Sequence, residues 1–443
     1  MLSNLKNVFK VTDLRNKILF VMVIIALYRL GVAIRVPGID PDAVKQFKKG
    51  VESQGALGFL DLFSGGAFGS FSIFALGIMP YITASIIMQV LGVVIPKLEK
   101  LQQEGAVGQR KITQYTRYLA IGISLMQATA LTFIFGNGNG NAFFGAAQRL
   151  PKNVKLLPDG MWPRGYLVIL TLVAGTAVLM WLGEMISQRG IGNGMSMVIF
   201  ASVVSRLPFG YYSILQEQKW FAFGLLVIVS LLIVVAIVRV ELAQRRIPVQ
   251  FAKRVVGRRM YGGQNTYIPL KVNQSGVIPI IFASSVLLLP VLNTNFLGGS
   301  NGTGWRATEQ KWVDANLVNS HGAIYIVLFS MMIIAFAYFY NSIAFDPIRQ
   351  ADQIRRQGGF IPGVRPGPQT ERYLAKAVNR ITLPGALFVA VVAITPYIIL
   401  WLFNVQNFPF AGTTVLIAVG VALELMRQID SQLMLRNYEG FLK

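Results

Sequence analysis

The chain has no cysteine among its 443 residues and a single histidine, His321. The missing cysteine excludes disulfide bonds and metal sites built on thiolates. No second imidazole or nearby carboxylate cluster accompanies His321 to complete a catalytic or metal site. The sequence therefore predicts a protein that is not an enzyme and that binds neither a metal nor a cofactor.

Charged residues are also scarce, at 14% of the chain against 54% hydrophobic residues. A soluble domain usually carries about 25% charged residues, so this chain cannot cover a water-facing surface in the ordinary way. Apolar runs of roughly 20 residues, the length of helix that crosses about 30 Å of hydrocarbon, recur along it. Because isolated strands would leave backbone groups unpaired in lipid, these runs predict an all-α polytopic membrane protein.

Ten apolar runs are candidate transmembrane spans. Those at 219–240 and 322–345 are the most pronounced, whereas those at 191–207 and 408–426 are shorter or richer in glycine. The ten runs lie near 18–36, 74–95, 116–135, 165–186, 191–207, 219–240, 274–293, 322–345, 381–403 and 408–426.

Basic residues give the orientation. About two thirds of the 41 Lys and Arg lie on alternate segments counted from the N-terminal tail. By the positive-inside rule that side is cytoplasmic, which places both termini inside a multi-pass protein of the cytoplasmic membrane. The net charge of +22 then reflects orientation and attraction to anionic phospholipid rather than nucleic-acid binding, because the basic residues occupy short loops between apolar runs.

Two basic cytoplasmic loops, at about 241–273 and 346–380, are unusually long. Positive charge alone would explain orientation and lipid attraction. It would not explain loops of some thirty residues with their own apolar and turn-forming positions. Loops of this length in a compact protein are usually functional, so the two loops are candidate docking surfaces.

The stretch 61–73, DLFSGGAFGSFSI, is too apolar for an exposed loop and too short and glycine-rich to span a membrane. It is either backbone that re-enters the membrane region inside protein or an amphipathic turn at the interface, and its composition fits both. The Gly190-Ile191-Gly192-Asn193-Gly194 run superficially resembles a nucleotide-binding loop. No strand precedes it and no P-loop lysine follows it, so close helix packing explains it better.

Carboxylates are almost absent from the predicted spans, where Glu184, Glu241 and Glu424 sit at cytoplasmic ends. Proton- or ion-coupled transporters usually bury Asp, Glu or His near the midplane. Arg29 is well inside a span and is expected to snorkel outward or to be paired. An uncharged aliphatic route suits a chemically heterogeneous passenger. These residues alone leave both a channel and a secondary transporter of a small solute open.

Six stretches carry a resemblance to a known family. They are FSGGAFGSFSIFALGIMPYITASIIMQ at 63–89, GQRKITQYTRY at 108–118, MWLGEMISQRGIGNGMSMVIFA at 180–201, QRRIPVQFAKR at 244–254, LKVNQSGVIPIIFASS at 270–285 and GFIPGVRPGPQT at 359–370. They are long, ordered and spread over nearly the whole chain. Through them the sequence resembles the SecY family, whose members are the central subunit of the bacterial protein-conducting channel.

The resemblance implies ten transmembrane helices in two inverted five-helix halves, 1–212 and 213–443, around an hourglass pore. It also implies that 61–73 is a short plug helix that seals the outer funnel. The implied function is passage of unfolded preproteins across the cytoplasmic membrane, with lateral release of transmembrane segments into lipid. The implied plug residues are Phe63, Ser64, Gly65, Gly66, Ala67, Phe68, Gly69, Ser70 and Phe71.

The family's pore ring maps onto six aliphatic residues, Ile78, Ile82, Met195, Ile199, Ile281 and Ile417. Met195 departs from the commoner isoleucine, and its flexible side chain predicts a slightly softer seal. Such a constriction dewets when empty and so blocks ions and protons. The alternative is that the six are ordinary packing residues, which the sequence alone does not reject.

The resemblance implies a lateral gate between spans two and three on one side and seven and eight on the other. Gln127 and Asn273 are the candidate polar contacts that hold this gate shut. A signal sequence of a preprotein would leave through it. SecE-like and SecG-like small membrane subunits are implied as partners by the family and by no residue of this chain.

The resemblance also makes the two basic loops docking sites for the SecA motor ATPase or the ribosome. Arginines on a turn stiffened by Pro and Gly can bind carboxylates or RNA phosphates in a bidentate manner. The candidate docking residues are Arg245, Arg246, Lys253, Arg254 and Arg365.

Overall fold

The structure is a computed structural model. It describes residues 11–52, 61, 63–136, 164–217, 220–251, 254–256, 259–261, 266–297, 312–313, 316–317, 322–403 and 412–440.

Most of the described chain is helical. In chain order the helices are α1 (Thr12–Ala33), α2 (Pro41–Glu52), α3 (Met79–Val94), α4 (Pro96–Gln103), α5 (Ala106–Gly136), α6 (Arg164–Arg189), α7 (Gly194–Glu217), α8 (Trp220–Leu242), α9 (Ile278–Leu297), α10 (Ala323–Ala344), α11 (Pro347–Arg356), α12 (Pro368–Phe403) and α13 (Gly412–Gly440).

Ten of these helices coincide with the ten predicted spans: α1, α3, α5 to α10, α12 and α13. By length and apolar composition alone, four described helical stretches qualify as spans, namely Thr12–Ala33, Arg164–Arg189, Ala323–Arg356 and Pro368–Thr395. The bent pair Met79–Gly92 and Pro96–Gln102 would be a fifth. The helices confirm a polytopic membrane protein.

Local sequence explains where several of these helices start. Prolines occupy the first turns of α3 and α4, where a missing backbone N–H costs nothing and the fixed φ suits a helix. Pro347 opens α11 in the same way. The preceding residue, Asp346, caps this helix, because its Oδ1 accepts hydrogen bonds from Ile348 N at 3.0 Å and Arg349 N at 3.2 Å.

The two long basic loops contain strands, which the sequence analysis did not anticipate. The strands are β1 (Gln244–Phe251), β2 (Arg254–Val256), β3 (Arg259–Tyr261), β4 (Thr266–Lys271) and β5 (Gly359–Phe360). In the main sheet, of order β4-β1-β5, β1 pairs antiparallel with β4 of its own loop and with β5 of the other. Strands can form here because each loop supplies hydrogen-bond partners for the backbone of the other, in a region predicted to lie outside the lipid.

The two loops also share one apolar core, and together we call them, after their predicted side of the membrane, the cytoplasmic module. Burial alternates along β1: Ile247 and Val249 are buried, whereas Arg246 and Pro248 are exposed. This is the period of two that a half-buried strand requires. The core consists of Ile247, Val249 and Leu270 from the first loop and Ala351, Ile354, Ile361, Leu374, Ala377 and Val378 from the second.

Three larger apolar clusters lie among the membrane helices. One draws its buried residues from positions 36–172 and another from positions 237–416. The third joins helices α1, α3, α6 and α7 to residues of α9 and α13. This distribution agrees with two halves that meet at a shared centre, although the boundary at 212 falls inside α7. The division into inverted halves stays a prediction.

Candidate channel constriction and plug

The start of α7 lies directly against α6 because two glycines face each other. A Cβ on Gly194 would lie 1.7 Å from Gly183 O, and a Cβ on Gly183 would lie 2.6 Å from Met195 Sδ. Ser187 Oγ accepts a hydrogen bond from Gly194 N at 2.8 Å, and Gly192 has a φ of 88°. The glycine-rich run is therefore a tight turn and a close helix contact, as the packing interpretation predicts.

The structure brings all six predicted ring residues into one apolar cluster. Five are buried, and Ile82 is half-buried and packs against the others. They come from the start of α3, from α7, from α9 and from α13. The set is Ile78, Ile82, Met195, Ile199, Ile281 and Ile417.

The predicted plug packs against this cluster. Phe63 and Ala67 belong to the same set of buried residues as Ile78, Ile199 and Ile281. The six ring residues carry aliphatic or thioether side chains, so a passage between them would offer neither an ion nor water a favourable partner. In the structure these residues pack together with the plug segment and are largely shielded from solvent.

The predicted plug helix is helical only at its start, at Asp61 and Phe63, and not beyond them. Ser64–Phe71 is a run of consecutive turns, in which Gly65, Gly66 and Phe71 have φ values of 66°, 93° and 46°. Left-handed residues interrupt the regular helical hydrogen-bond ladder, and glycine tolerates that conformation best. The segment is nevertheless compact and mostly buried.

Tyr28 and Arg29 of α1 hold the plug through its backbone. Tyr28 OH donates to Ser64 O at 2.9 Å and is hydrogen-bonded to Ser202 Oγ at 2.6 Å. Arg29 Nη1 donates to Gly65 O at 3.0 Å, and Nη2 lies 3.4 Å from Ala201 O. The charge predicted inside the first span is thus paired with carbonyl groups of the plug and of α7.

An ion pair between Asp61 and Arg206 adds a second attachment to α7. Asp61 Oδ1 also accepts a hydrogen bond from Gly69 N at 2.7 Å. The sequence analysis missed this pair, although a signal was present. Asp61 is the one acidic residue between Glu52 and Glu99, and Arg206 lies at the end of the fifth apolar run.

On the predicted outer side, α2 covers the plug with an aromatic contact. The Phe47 ring lies 5.6 Å from that of Phe68 and 5.5 Å from that of Phe71, measured between centroids. The chain after α1 adds backbone hydrogen bonds, from Val36 N to Phe71 O and from Ile73 N to Ile34 O, each of 3.0 Å. The plug is therefore fixed from both faces.

A cavity of about 1050 Å³ lies on the opposite, predicted cytoplasmic, side of the constriction. It reaches Met195 of the ring and is lined mainly by residues of α5, α6 and the turn before α7, both polar and apolar. Among them is the ion pair between Arg117 and Glu184. The cavity thus ends at a residue of the apolar cluster.

The structure does not bring the two predicted gate residues together. Asn273 Nδ2 donates to Glu241 Oε1 at 2.7 Å and to Gly276 O at 3.1 Å, so its amide ties the end of α8 to the approach of α9. In the described part of the chain, none of its hydrogen bonds goes to Gln127, which is half-buried on α5. Helix α5 does contact α9. The roles of Gln127 and Asn273 in a gate stay predictions.

The described docking candidates lie on the cytoplasmic module. Arg245 and Arg246 are exposed on β1, and the Arg246 guanidinium lies 4.8 Å from the centroid of the Tyr267 ring. Arg365 is exposed in the turn between β5 and α12, where its carbonyl accepts a hydrogen bond from Thr370 Oγ1 at 3.0 Å. Arg254 begins β2.

Lys253, also predicted to dock a partner, lies outside the described residues.

An apolar cluster drawn from four helices, a buried run of turns packed on it and a cavity beside it belong to a polytopic helical membrane protein. Residues 72–426 match the SecY family. The chain is 47% identical to a protein translocase subunit SecY of Streptomyces galbus and 46% identical to that of Mycobacterium tuberculosis. Each match covers 100% of both chains. The chain belongs to the SecY family.

Solved structures share the fold at lower identity. One, described as a protein-conducting channel, has a TM-score of 0.59 at 19% identity and covers 93% of this chain and 90% of its own. A SecY structure whose plug domain is described as stabilising the closed state has a TM-score of 0.61 at 20% identity, with the same coverage. Sec61 from a canine ribosome-channel complex has a TM-score of 0.56 at 19% identity, again with the same coverage.

Proposed function

We propose that this chain is the protein-conducting channel subunit of a bacterial cytoplasmic membrane. It passes unfolded preproteins across the membrane and releases transmembrane segments sideways into lipid. The observation that carries this proposal is the meeting of six aliphatic residues from four helices directly beneath a seated plug. Membership of the SecY family supports the same function.

The constriction suits a polypeptide passenger because it is apolar and uncharged. Empty, it excludes water and so blocks ions. Filled by an extended chain, it offers no strong hydrogen bond or charge, so no side chain of the passenger is held tightly. Met195 contributes a flexible side chain that can close around passengers of different width.

Lateral release requires the helices beside the constriction to part. The proposed gate lies between α3 and α5 on one side and α9 and α10 on the other. A segment that is apolar enough leaves through it, because burial of apolar surface in lipid is favourable by about 25 cal/mol per Å². The contact between α5 and α9 is consistent with a gate that is shut in this structure.

The energy for translocation is proposed to come from a partner that binds the cytoplasmic module. Arg245, Arg246 and Arg365 present guanidinium groups that suit acidic side chains or RNA phosphates. The SecA motor ATPase and the ribosome are the partners proposed, with Lys253 and Arg254 in the same docking set. SecE-like and SecG-like subunits would complete the complex in a membrane containing anionic phospholipid.

A secondary transporter of a small solute is the weaker alternative. It requires a midplane binding site with coupling charges. The described ring is instead aliphatic, and the buried pair Asp61–Arg206 binds the plug. The relatives of this chain are translocase subunits over their full length.

Site-directed cross-linking tests the proposal. The chain has no native cysteine, so Ile82→Cys and Ile281→Cys introduce unique thiols at the constriction. Both should cross-link to a preprotein stalled during translocation. Leu232→Cys, on an exposed face of α8, is the matched control and should not. Failure of both ring positions, or equal cross-linking at Leu232, would contradict the proposed path.

A further inference from the structure

One face of α7 carries both ring residues and plug contacts. Met195, Ile199, Ser202 and Arg206 follow one another at spacings of four, three and four residues, which places them on one helical stripe. The first two belong to the constriction, whereas Ser202 binds Tyr28 and Arg206 binds Asp61. With a rise of about 1.5 Å per residue, Arg206 lies roughly 10 Å along the helix from Ile199.

The Asp61–Arg206 pair is well removed from solvent. The side chains are 6% and 20% exposed, respectively. The fold also makes room for the guanidinium, because a Cβ on Gly66 would lie 2.8 Å from Arg206 Nη2. A carboxylate buried in this way needs its partner, since removal of one member leaves an unpaired charge in a dry site.

The two arginines that contact the plug do so differently. Arg29 binds the backbone carbonyl of Gly65, a group that is present whichever side chains the plug carries. Arg206 binds the side chain of Asp61, so its hold depends on a charge carried by the plug itself. Displacement of the plug must therefore separate this pair or admit water to it, whereas the carbonyl contacts carry no such charge.

We propose that the Asp61–Arg206 ion pair is a latch that keeps the plug seated on the ring. This inference rests on the proposed function, because it assigns a closing device to the same path. In the seated state the pair is largely shielded from water, so neither charge can lose its partner without cost. When a passenger displaces the plug and water enters the outer funnel, each charge is hydrated and the attraction falls. The latch thus favours the closed state without holding the open one.

A purely structural role of Asp61 can be separated from the latch. Asp61 Oδ1 accepts from Gly69 N and so helps to fold the run of turns. Asp61→Asn keeps an oxygen for this hydrogen bond and removes the charge. A change seen with Asp61→Asn and also with Arg206→Gln then reports on the ion pair and not on the turn.

The test is the ion conductance of the purified protein in planar bilayers without substrate. Asp61→Asn and Arg206→Gln should each raise the open fraction by at least about tenfold, because each leaves its partner's charge unpaired in a site shielded from water. Asp42→Asn neutralises a carboxylate of the exposed Lys45–Asp42 pair and should change nothing.

Wild-type conductance in both single variants would overturn the latch. If a neutral variant cannot be purified, Arg206→Lys keeps the charge and should keep the conductance close to the wild-type level. An open fraction for Arg206→Lys as high as that of the remaining neutral variant would count against an ion-pair latch.

Cross-linking at Ile82→Cys in parallel distinguishes the two proposals. Retained cross-linking with unchanged conductance rejects the latch alone. Absence of cross-linking at both Ile82→Cys and Ile281→Cys in the otherwise wild-type protein rejects the channel itself.

Discussion

Gly183 and Gly194 meet backbone to backbone, so closely that the Gly183 carbonyl oxygen lies 1.7 Å from where a Cβ on Gly194 would be. No side chain fits between α6 and α7 at this point. Met195 follows immediately and projects into the constriction cluster. The position of a ring residue is thus set by the absence of a side chain on its neighbour.

Gly194→Ala should therefore force α6 and α7 apart and displace Met195. Overpacking of this kind costs about 1–3 kcal/mol, so the thermal unfolding temperature in detergent should fall and the ion leak in bilayers should rise. Gly122→Ala is the matched control, because a Cβ on that helical glycine meets nothing within 4 Å. Equal behaviour of the two variants would contradict the packing argument.

Deletion of residues 63–70 should raise the ion leakage of the purified channel in planar bilayers. The deletion removes Phe63 and Ala67 from the apolar cluster and leaves the ring to seal alone. Single-channel recording measures the effect. A conductance no higher than that of the intact protein would show that the segment does not seal the path.

Arg365→Glu should impair SecA-driven export of a preprotein into inverted vesicles while the protein still folds. The exposed guanidinium at the tip of the module would become a carboxylate that repels an acidic partner. Arg356→Glu, exposed on α11, makes the same change of charge and should have the smaller effect. Normal export by the Arg365 variant would remove this residue from the docking site.

Ile247→Ala should loosen both cytoplasmic loops together. Truncation of a buried aliphatic side chain costs about 2–5 kcal/mol, and this one belongs to a core built from both loops. Hydrogen exchange should rise in 346–380 as well as in 241–273. Ile348→Ala, at an exposed position, serves as the control. A rise confined to the first loop would show that the two fold separately.

Much of the membrane part could be predicted from the sequence, because lipid imposes a simple rule. Each apolar run of about 20 residues must be a helix, and the described helices fall where these runs are. The ring residues were found through resemblance rather than periodicity. No local pattern marks Ile281 and Ile417 as neighbours of Ile78, since they meet only when the helices assemble.

The strand pairing of the loops and the ion pair at the plug could not be predicted, because they join residues that are distant in sequence. Gln250 pairs with Phe360, and Asp61 with Arg206, across more than a hundred residues. Local spacing carries no information on such pairs. The turns of the plug were missed for a different reason: glycine permits several backbone conformations, and contacts with α1 and α7 select one.

The pairing of β1 with β5 has a mechanical consequence. The module is rooted in α8, α9, α10 and α12, and the Asn273–Glu241 hydrogen bond closes the base of its first loop. Force applied at the Arg365 turn would consequently be shared among four helices. Arg349 Nη2 lies 3.4 Å from Glu99 Oε1 of α4, so the module also contacts the helix that follows α3. If the two basic loops dock a partner as proposed, the sheet that joins them would pass the force of that partner to the helices beside the proposed gate.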